Sequence, residues 1–135
     1  MRARGLAMTE VLVALVLLAV ALTGALALAL RGYALTAEAR RAEQAAVLVA
    51  DLAGRIRALP GVDWTALPVA APCVPICTPE SLAALEFEDW QTLASATLPG
   101  AAAVLEPGAS GALQLTLEWH ESDGPGREIS LELRP

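Results

Sequence analysis

The sequence predicts an α+β protein in which a long N-terminal helix packs on a small antiparallel β-sheet, with one extra short helix. Residues 11–59 contain no proline and are rich in alanine and leucine, which favour helix. Residues 81–98 repeat apolar side chains with a helical period. Residues 101–133 contain three short runs with the composition of strands. Helices therefore precede the strands, as in many α+β domains.

The first part of the predicted helix is long and apolar enough to cross a membrane. Between Glu10 and Arg31 lie 20 uncharged residues, and Thr23 is the polar side chain among them. A helix of this length spans about 30 Å, the thickness of a bilayer core. Arg2 and Arg4 precede the run and most acidic residues follow it. The positive-inside rule therefore predicts a cytoplasmic N-terminus and an exported remainder.

The charge balance argues against nucleic acid as a partner. The chain has 15 acidic residues, nine arginines and no lysine, which gives a formal net charge of −6. Proteins that bind nucleic acid gain most of their affinity from basic side chains that displace counterions from phosphates. This chain offers no basic face for that purpose.

An ordinary secretory signal is an alternative interpretation of the N-terminus. Its apolar region would be about 7–15 residues long and would end at a small-residue cleavage site. Ala25, Ala27 and Ala29 could imitate such a site, but the apolar run is too long. Gly5 precedes the apolar run, and Glu10 follows that glycine by five residues. This order of residues favours another kind of signal.

The segment GLAMTE, residues 5–10, followed by VLVALVLLAVAL, resembles the class III signal of type IV pilins and pseudopilins. The resemblance implies that a membrane-embedded peptidase cuts between Gly5 and Leu6 and that the new amine is methylated. The leader, residues 1–5, is short and doubly basic, as in that family. Phenylalanine is commonest at position 6 in the family, whereas this chain has leucine. The apolar segment would remain in the mature protein.

The resemblance implies a role for Glu10 in the assembly of subunits. An ionised carboxylate in hydrocarbon costs at least a few kcal/mol unless it is paired. The resemblance implies that its partner is the α-amino group of Leu6, in the same chain or in a neighbouring subunit. One helical turn separates the two, and a helix N-terminus favours negative charge. The alternative is that Glu10 rests among the lipid headgroups without a specific partner.

Beyond the span, the sequence predicts an amphipathic continuation of the helix. Asp51 and Arg55 form an acid-to-base pair at i,i+4, and Pro60-Gly61 supplies the stop. We expect an apolar stripe on this part to face the C-terminal domain. The stripe comprises Leu35, Ala39, Ala42, Ala46, Val49, Ala53 and Ile56, widened by Ala45, Leu48, Leu52 and Leu59.

The rest of the chain has the pattern of a small domain. Residues 61–79 are predicted to form a loop, and Thr78 is the expected N-cap of a helix that starts with Pro79 and ends before Pro99-Gly100. Its helical period includes Leu82, Leu85, either Phe87 or Glu86, Trp90, Leu93, Ala94 and Leu98. Strands are predicted at 101–106, 111–119 and 127–133, with residues 120–126 as a hairpin connection. The last two strands alternate, with one face formed by Leu113, Leu115, Leu117 and Trp119 and another by Ile129, Leu131 and Leu133.

Cys73 and Cys77 are the two cysteines, and both lie in the exported part, where a disulfide is the expected state. A disulfide that closes so short a loop would stabilise the fold by roughly 2 kcal/mol, the small end of the usual range. A metal site is a weaker alternative because zinc needs three or four ligands and His120 is the one histidine. A redox centre is also disfavoured because the spacing is not C-x-x-C.

The cysteine segment narrows the resemblance. The chain is similar to the type IV pilus modification proteins, the PilV family of minor pilins, from the cysteine segment onward. The similarity covers CVPICTPE, residues 73–80, and continues through Trp90 to Leu98-Pro99-Gly100. Two earlier segments also resemble that family: EVLVALVLLAVALTG, residues 10–24, and DLAGRIRALPG, residues 51–61. A pilin-like fold is implied, with a leader at 1–5, a transmembrane half-helix at 6–30, a periplasmic half-helix at 31–59 and a globular domain at 60–135.

The function implied is that of a non-catalytic minor pilin that takes part in initiating a type IV pilus from the bacterial inner membrane, with its C-terminal domain in the periplasm. Its implied partners are other minor pilins, the major pilin, the prepilin peptidase and N-methyltransferase, and the inner-membrane assembly platform. The resemblance implies no cofactor. A minor pseudopilin of type II secretion shares the same signal and helix and is the first alternative.

Two alternatives come from other functional classes. A membrane-anchored adhesin or binding module would use Trp64, Trp90 and Trp119 as a surface, although core packing suits Trp90 and Trp119 better. An anchored enzyme would need a nucleophile and a base. Trp119-His120-Glu121 and the serines form no interpretable set, so no catalytic residue is predicted.

Overall fold

The computed structural model describes the backbone of residues 3–74, 76–120 and 126–134, and the side chains of these residues except 3–7 and 110. Helix α1 spans Ala3–Ala58 and helix α2 spans Pro79–Thr97. Strands β1, β2 and β3 span Ala102–Pro107, Leu113–Trp119 and Arg127–Leu133. A short 3-10 turn, Ala109–Gly111, precedes β2. The predicted α+β class, a long N-terminal helix with a small antiparallel sheet and one extra helix, is confirmed.

The chain divides into two compact units, Met1–Arg40 and Arg41–Pro135. We call them the N-terminal unit and the C-terminal unit. The described part of the N-terminal unit is helical throughout, and its side chains from residue 8 to residue 37 are all exposed. The C-terminal unit contains the buried core. The boundary predicted at 30/31 separates the transmembrane half of the helix from its periplasmic half, and the boundary at 59/60 separates the helix from the globular domain. Both boundaries remain predictions.

The core of the C-terminal unit lies between the last four turns of α1, helix α2 and one face of the sheet. Trp90, Leu52, Leu115 and Leu117 are fully buried within it. The indole Nε1–H of Trp90 donates a hydrogen bond of 3.0 Å to the carbonyl oxygen of Leu48. This bond satisfies the polar atom of a buried tryptophan and fixes the contact between α1 and α2.

The buried face of α1 is shorter than its apolar pattern predicts. Burial follows Ala45, Leu48, Val49, Leu52, Ala53 and Ile56, a helical stripe of about 17 Å. The first four residues of the predicted stripe, Leu35, Ala39, Ala42 and Ala46, are exposed. The prediction that they face the domain was wrong, because the sheet and α2 together cover one side of α1 only from Ala45 onward.

Helix α2 begins and ends as its sequence predicts. The backbone N–H of Ser81 donates to Oγ1 of the N-cap Thr78 at 3.2 Å, with Pro79 in the first turn. At the other end Gly100 adopts a φ of +63°, which favours glycine. The buried face consists of Ala83, Ala84, Trp90 and Ala94. Leu82 and Leu93, which the periodic pattern placed on that face, are exposed.

The sheet is antiparallel with the order β1-β2-β3. In β2, Leu113, Leu115, Leu117 and Trp119 face the core, as their alternation predicts. Trp119 pairs with Arg127, so residues 120–126 connect adjacent antiparallel strands. The predicted hairpin is therefore confirmed by its pairing, although residues 121–125 lie outside the described residues. The second strand starts two residues later than predicted, because residues 109–111 form the 3-10 turn.

Candidate functional site

The predicted processing and assembly residues lie at the start of α1. Gly5 and Leu6 are within the helix, but their side chains lie outside the described part of the structure. Glu10 is exposed and follows Leu6 by one turn. Among the described side chains, no ion pair involves Glu10. The helix therefore presents the carboxylate immediately before the charge-free run.

The run after Glu10 has the properties of a membrane anchor. By length and composition, the part of α1 from Met8 onward is sufficient to cross a membrane. Thr23 does not interrupt its apolar surface, because its hydroxyl donates to the backbone carbonyl oxygens of Ala19 and Val20 at 3.0 and 2.9 Å. The polar atom is thus satisfied within the helix, as hydrocarbon surroundings require. The side chains from residue 11 to residue 30 are exposed in the single chain.

The cysteine loop is formed as the sequence predicts. Cys73 and Cys77 are joined by a disulfide, with Cα atoms 4.9 Å apart. The Sγ atom of Cys73 lies 4.0 Å from Oγ of Ser81, which places the loop beside the first turn of α2. On the other side Leu67 is partly buried against the core. The disulfide therefore closes a segment that is attached to the fold at both ends.

The C-terminal unit also contains an ion cluster on the outside of α1 and α2. Nε of Arg55 donates to Asp51 at 3.0 Å, which confirms the predicted i,i+4 pair, and Nη1 bonds the carboxylate of Glu86. Partial burial acts to lower the pKa of Arg55, but hydrogen bonds and charge attraction from the two carboxylates outweigh it and raise that pKa. Arg55 therefore stays charged at any physiological pH.

Sequence reasoning missed Glu86 as a member of this cluster. Glu86 is 31 residues from Arg55 along the chain, and the packing of α2 on α1 brings it close. Beside the cluster, an open groove of about 570 Å³ is lined by Ala50, Gly54 and Leu82. Spacing along one helix could predict only the local half of the site. The groove itself depends on the tertiary contact.

The three tryptophans do not form a surface. Trp90 is fully buried, and Trp64 and Trp119 are each 5% exposed. The prediction that Trp90 and Trp119 suit the core is confirmed, and Trp64 joins them. The adhesin interpretation therefore loses the aromatic surface on which it rested.

His120 contacts the turn that follows α2. Its backbone N–H donates to the carbonyl oxygen of Pro99 at 2.9 Å, and its ring lies beside Gly100, where a Cβ atom would come within 3.2 Å of Nδ1. Glu121 lies outside the described residues. Within the described ranges, no group of three or more His, Cys, Asp or Glu side chains is placed to hold a metal ion.

Comparison with protein-family models, with curated proteins and with solved structures finds no match for this chain. Similarity to characterised proteins therefore supports no function here, and the residues described above are the basis for a proposal. The resemblance to PilV-family minor pilins stays a prediction.

Proposed function

We propose that the chain is a minor pilin, anchored in the bacterial inner membrane by α1, which is cut after Gly5 and takes part in assembling a type IV pilus. The observation that carries the proposal is the position of Glu10. It lies one turn after Leu6 and immediately before 20 uncharged, exposed residues. A carboxylate at this position is costly for a simple anchor and useful for a subunit contact.

Cleavage after Gly5 would supply the missing partner charge. The new α-amino group of Leu6 would be about 6 Å from Glu10 along the helix axis, within reach of a side chain one turn away. In a filament, the amine of one subunit and the carboxylate of the next would neutralise each other in apolar surroundings, where a pair is strongly preferred to two separate charges. Glu10 is thus an interaction residue, with no catalytic part.

The exposed face of α1 beyond the span also supports assembly. Leu35 is 66% exposed, and the alanines at 39, 42 and 46, which follow it on the same side of the helix, are exposed as well. Small residues on a helix permit close approach of a second helix. Such a face is expected of a subunit whose helix contacts other subunits. In this proposal the neighbours are other minor pilins and the major pilin, placed by an inner-membrane assembly platform.

Glu10→Ala tests the proposal directly. We expect the variant to reach the inner membrane at the wild-type level and to be lost from filaments sheared from the cells, because the pair with the Leu6 amine is gone. Glu10→Gln should behave in the same way, since an amide cannot pair as a charge. Glu43→Ala is the matched control, because Glu43 is an exposed carboxylate of the same helix outside the apolar run.

Filament incorporation of Glu10→Ala at the wild-type ratio would contradict the assembly role. Deletion of the gene separates the two filament systems. Loss of surface pili with protein secretion intact supports the proposal, whereas loss of secretion with pili intact would assign the chain to type II secretion.

A further inference from the structure

The cysteine loop exposes apolar side chains that the fold does not use. Val69 is 94% exposed, and Val74 and Ile76 are each 83% exposed. They belong to a stretch of 16 residues, 64–79, that contains no charged side chain. The other large apolar side chains of the C-terminal unit that are exposed, Val47, Leu82, Leu93 and Val104, are between 36% and 64% exposed. The loop is therefore the most apolar protrusion of the described part of this unit.

The loop is attached on both sides rather than loosely tethered. The disulfide closes residues 73–77, Pro68 and Pro72 restrict the backbone before it, and Thr78 caps α2 immediately after it. A segment whose conformation is already restricted loses less entropy when it binds. The disulfide and the prolines therefore present Val74 and Ile76 in a restricted conformation.

A cleft lies where the loop meets α2. It has a volume of about 220 Å³, and its lining includes Leu67, Pro68, Val69, Phe87, Glu88 and Gln91. Apolar side chains form most of the lining, and the exposed carboxylate of Glu88 is its charged member. Among the described side chains, no ion pair involves Glu88. A cleft that combines apolar side chains with a carboxylate suits a side chain with an apolar stem and a cationic head.

The charge of the unit selects the kind of partner. Residues 41–135 contain 13 acidic residues and five arginines, a formal net charge of −8. An anionic lipid surface would repel this unit, and lipid-binding segments usually carry basic residues that this loop lacks. A second copy of the same unit would be repelled for the same reason. A basic protein surface remains, and its charge complements that of the unit.

We propose that the cleft between Val69, Phe87 and Glu88 binds an arginine or lysine side chain of a partner protein, and that Val74 and Ile76 contact apolar residues of the same partner. The stem of the cation packs against the loop and Phe87, and its head pairs with Glu88. This contact concerns residues 67–91 and stands whether or not the chain joins a pilus.

Photo-crosslinking in the full chain tests this contact. Benzoylphenylalanine replaces Ile76, which is 83% exposed and lies outside the lining of the cleft, and a second variant carries it in place of Val104 on the outer face of β1 as the control. In native membranes, we expect the probe at position 76 to give an adduct with one other protein, at a site within a few residues of an arginine or lysine. Glu88→Arg should lower the adduct yield at least about fivefold, and Glu88→Gln should lower it less.

A charge swap makes the test specific. Changing the mapped arginine or lysine of the partner to glutamate should restore the adduct in the Glu88→Arg background. An adduct with lipid, an adduct with a second copy of this chain, a yield no higher than that of the Val104 control, or a yield unaffected by Glu88→Arg would overturn the proposal. The N-terminus of the same samples is sequenced, so that failure of this contact and failure of pilin processing are scored separately.

Discussion

Residues 8–37 and residues 45–56 belong to the same helix and are both rich in alanine, leucine and valine, but their surroundings differ. Every side chain of the first stretch is exposed, whereas six side chains of the second are buried against α2 and the sheet. The second stretch is stabilised by packing inside the protein. The first exposes its apolar surface, which favours a lipid phase or neighbouring helices over water. Apolar composition alone does not distinguish the two situations.

For the first stretch, we expect the introduction of charged side chains to have the largest effect, because it opposes insertion into a membrane. Its uncharged run contains eight leucines and four valines, which together favour insertion by roughly 4–7 kcal/mol. One arginine near the centre of a span costs about 2.5–3.5 kcal/mol, so Val20→Arg alone should still insert. The double variant Leu17→Arg/Val20→Arg should fail, and the protein should become extractable with alkaline carbonate. Retention of the double variant in the membrane fraction would refute the anchor.

For the second stretch, we expect truncation of a buried side chain to have the largest effect, because it leaves a cavity in the core. Leu52 is fully buried, so Leu52→Ala should lower the free energy of unfolding by about 2–5 kcal/mol. Leu18→Ala is the control, because Leu18 is 55% exposed. All three tryptophans lie in the C-terminal unit, so urea unfolding of the detergent-solubilised full chain followed by tryptophan fluorescence reports on that unit. Equal effects of the two substitutions would remove the distinction between the stretches.

A smaller effect is expected at the ion cluster of α1 and α2. The carboxylates of Asp51 and Glu86 are 45% and 40% exposed, so solvent screens their attraction for Arg55. Arg55→Met should therefore cost at most about 1 kcal/mol in the same unfolding assay, and high salt should reduce the difference. Arg57→Met, at an exposed arginine of the same helix, is the control. A loss as large as that of Leu52→Ala would show that charge, not packing, holds α2 on α1.

The smallest effect concerns Asp63 in the turn after α1. Its carboxylate accepts hydrogen bonds from the hydroxyl and the backbone N–H of Thr65, and these lower its pKa below the ordinary value of 3.8. The stabilisation is therefore present above pH 3.8 and is lost as the pH falls through the lowered pKa. The difference in melting temperature between wild type and Asp63→Asn should be largest near pH 6 and should shrink below pH 3.8. A difference that grows on acidification would contradict this sign.

Local signals predicted the elements well. Thr78 and Pro79 located the start of α2, the alternation around Leu115 identified β2, and the spacing of Asp51 and Arg55 identified an ion pair, because each depends on neighbours a few residues apart. The extent of burial along α1 was not predictable in this way. Which turns are covered depends on where α2 and the sheet end, and no periodicity in α1 contains that information.

The candidate sites show the same division. Glu10 and the Cys73–Cys77 disulfide could be identified from spacing and from the resemblance. The cleft at Glu88 could not, since Val69 and Phe87 are 18 residues apart and line one cleft only because the loop lies beside α2. Tertiary contacts determine that site, and a sequence pattern contains no direct signal for it.

The mature N-terminus tests the central claim most directly. The full chain is isolated from membranes of otherwise identical bacterial strains with and without the prepilin peptidase, and its intact mass and N-terminal sequence are determined. With the peptidase, we predict a chain that starts at Leu6 and carries a methylated amine. Without it, the chain should retain residues 1–5. A mature N-terminus beyond residue 25, or an uncut chain in both strains, would contradict the account.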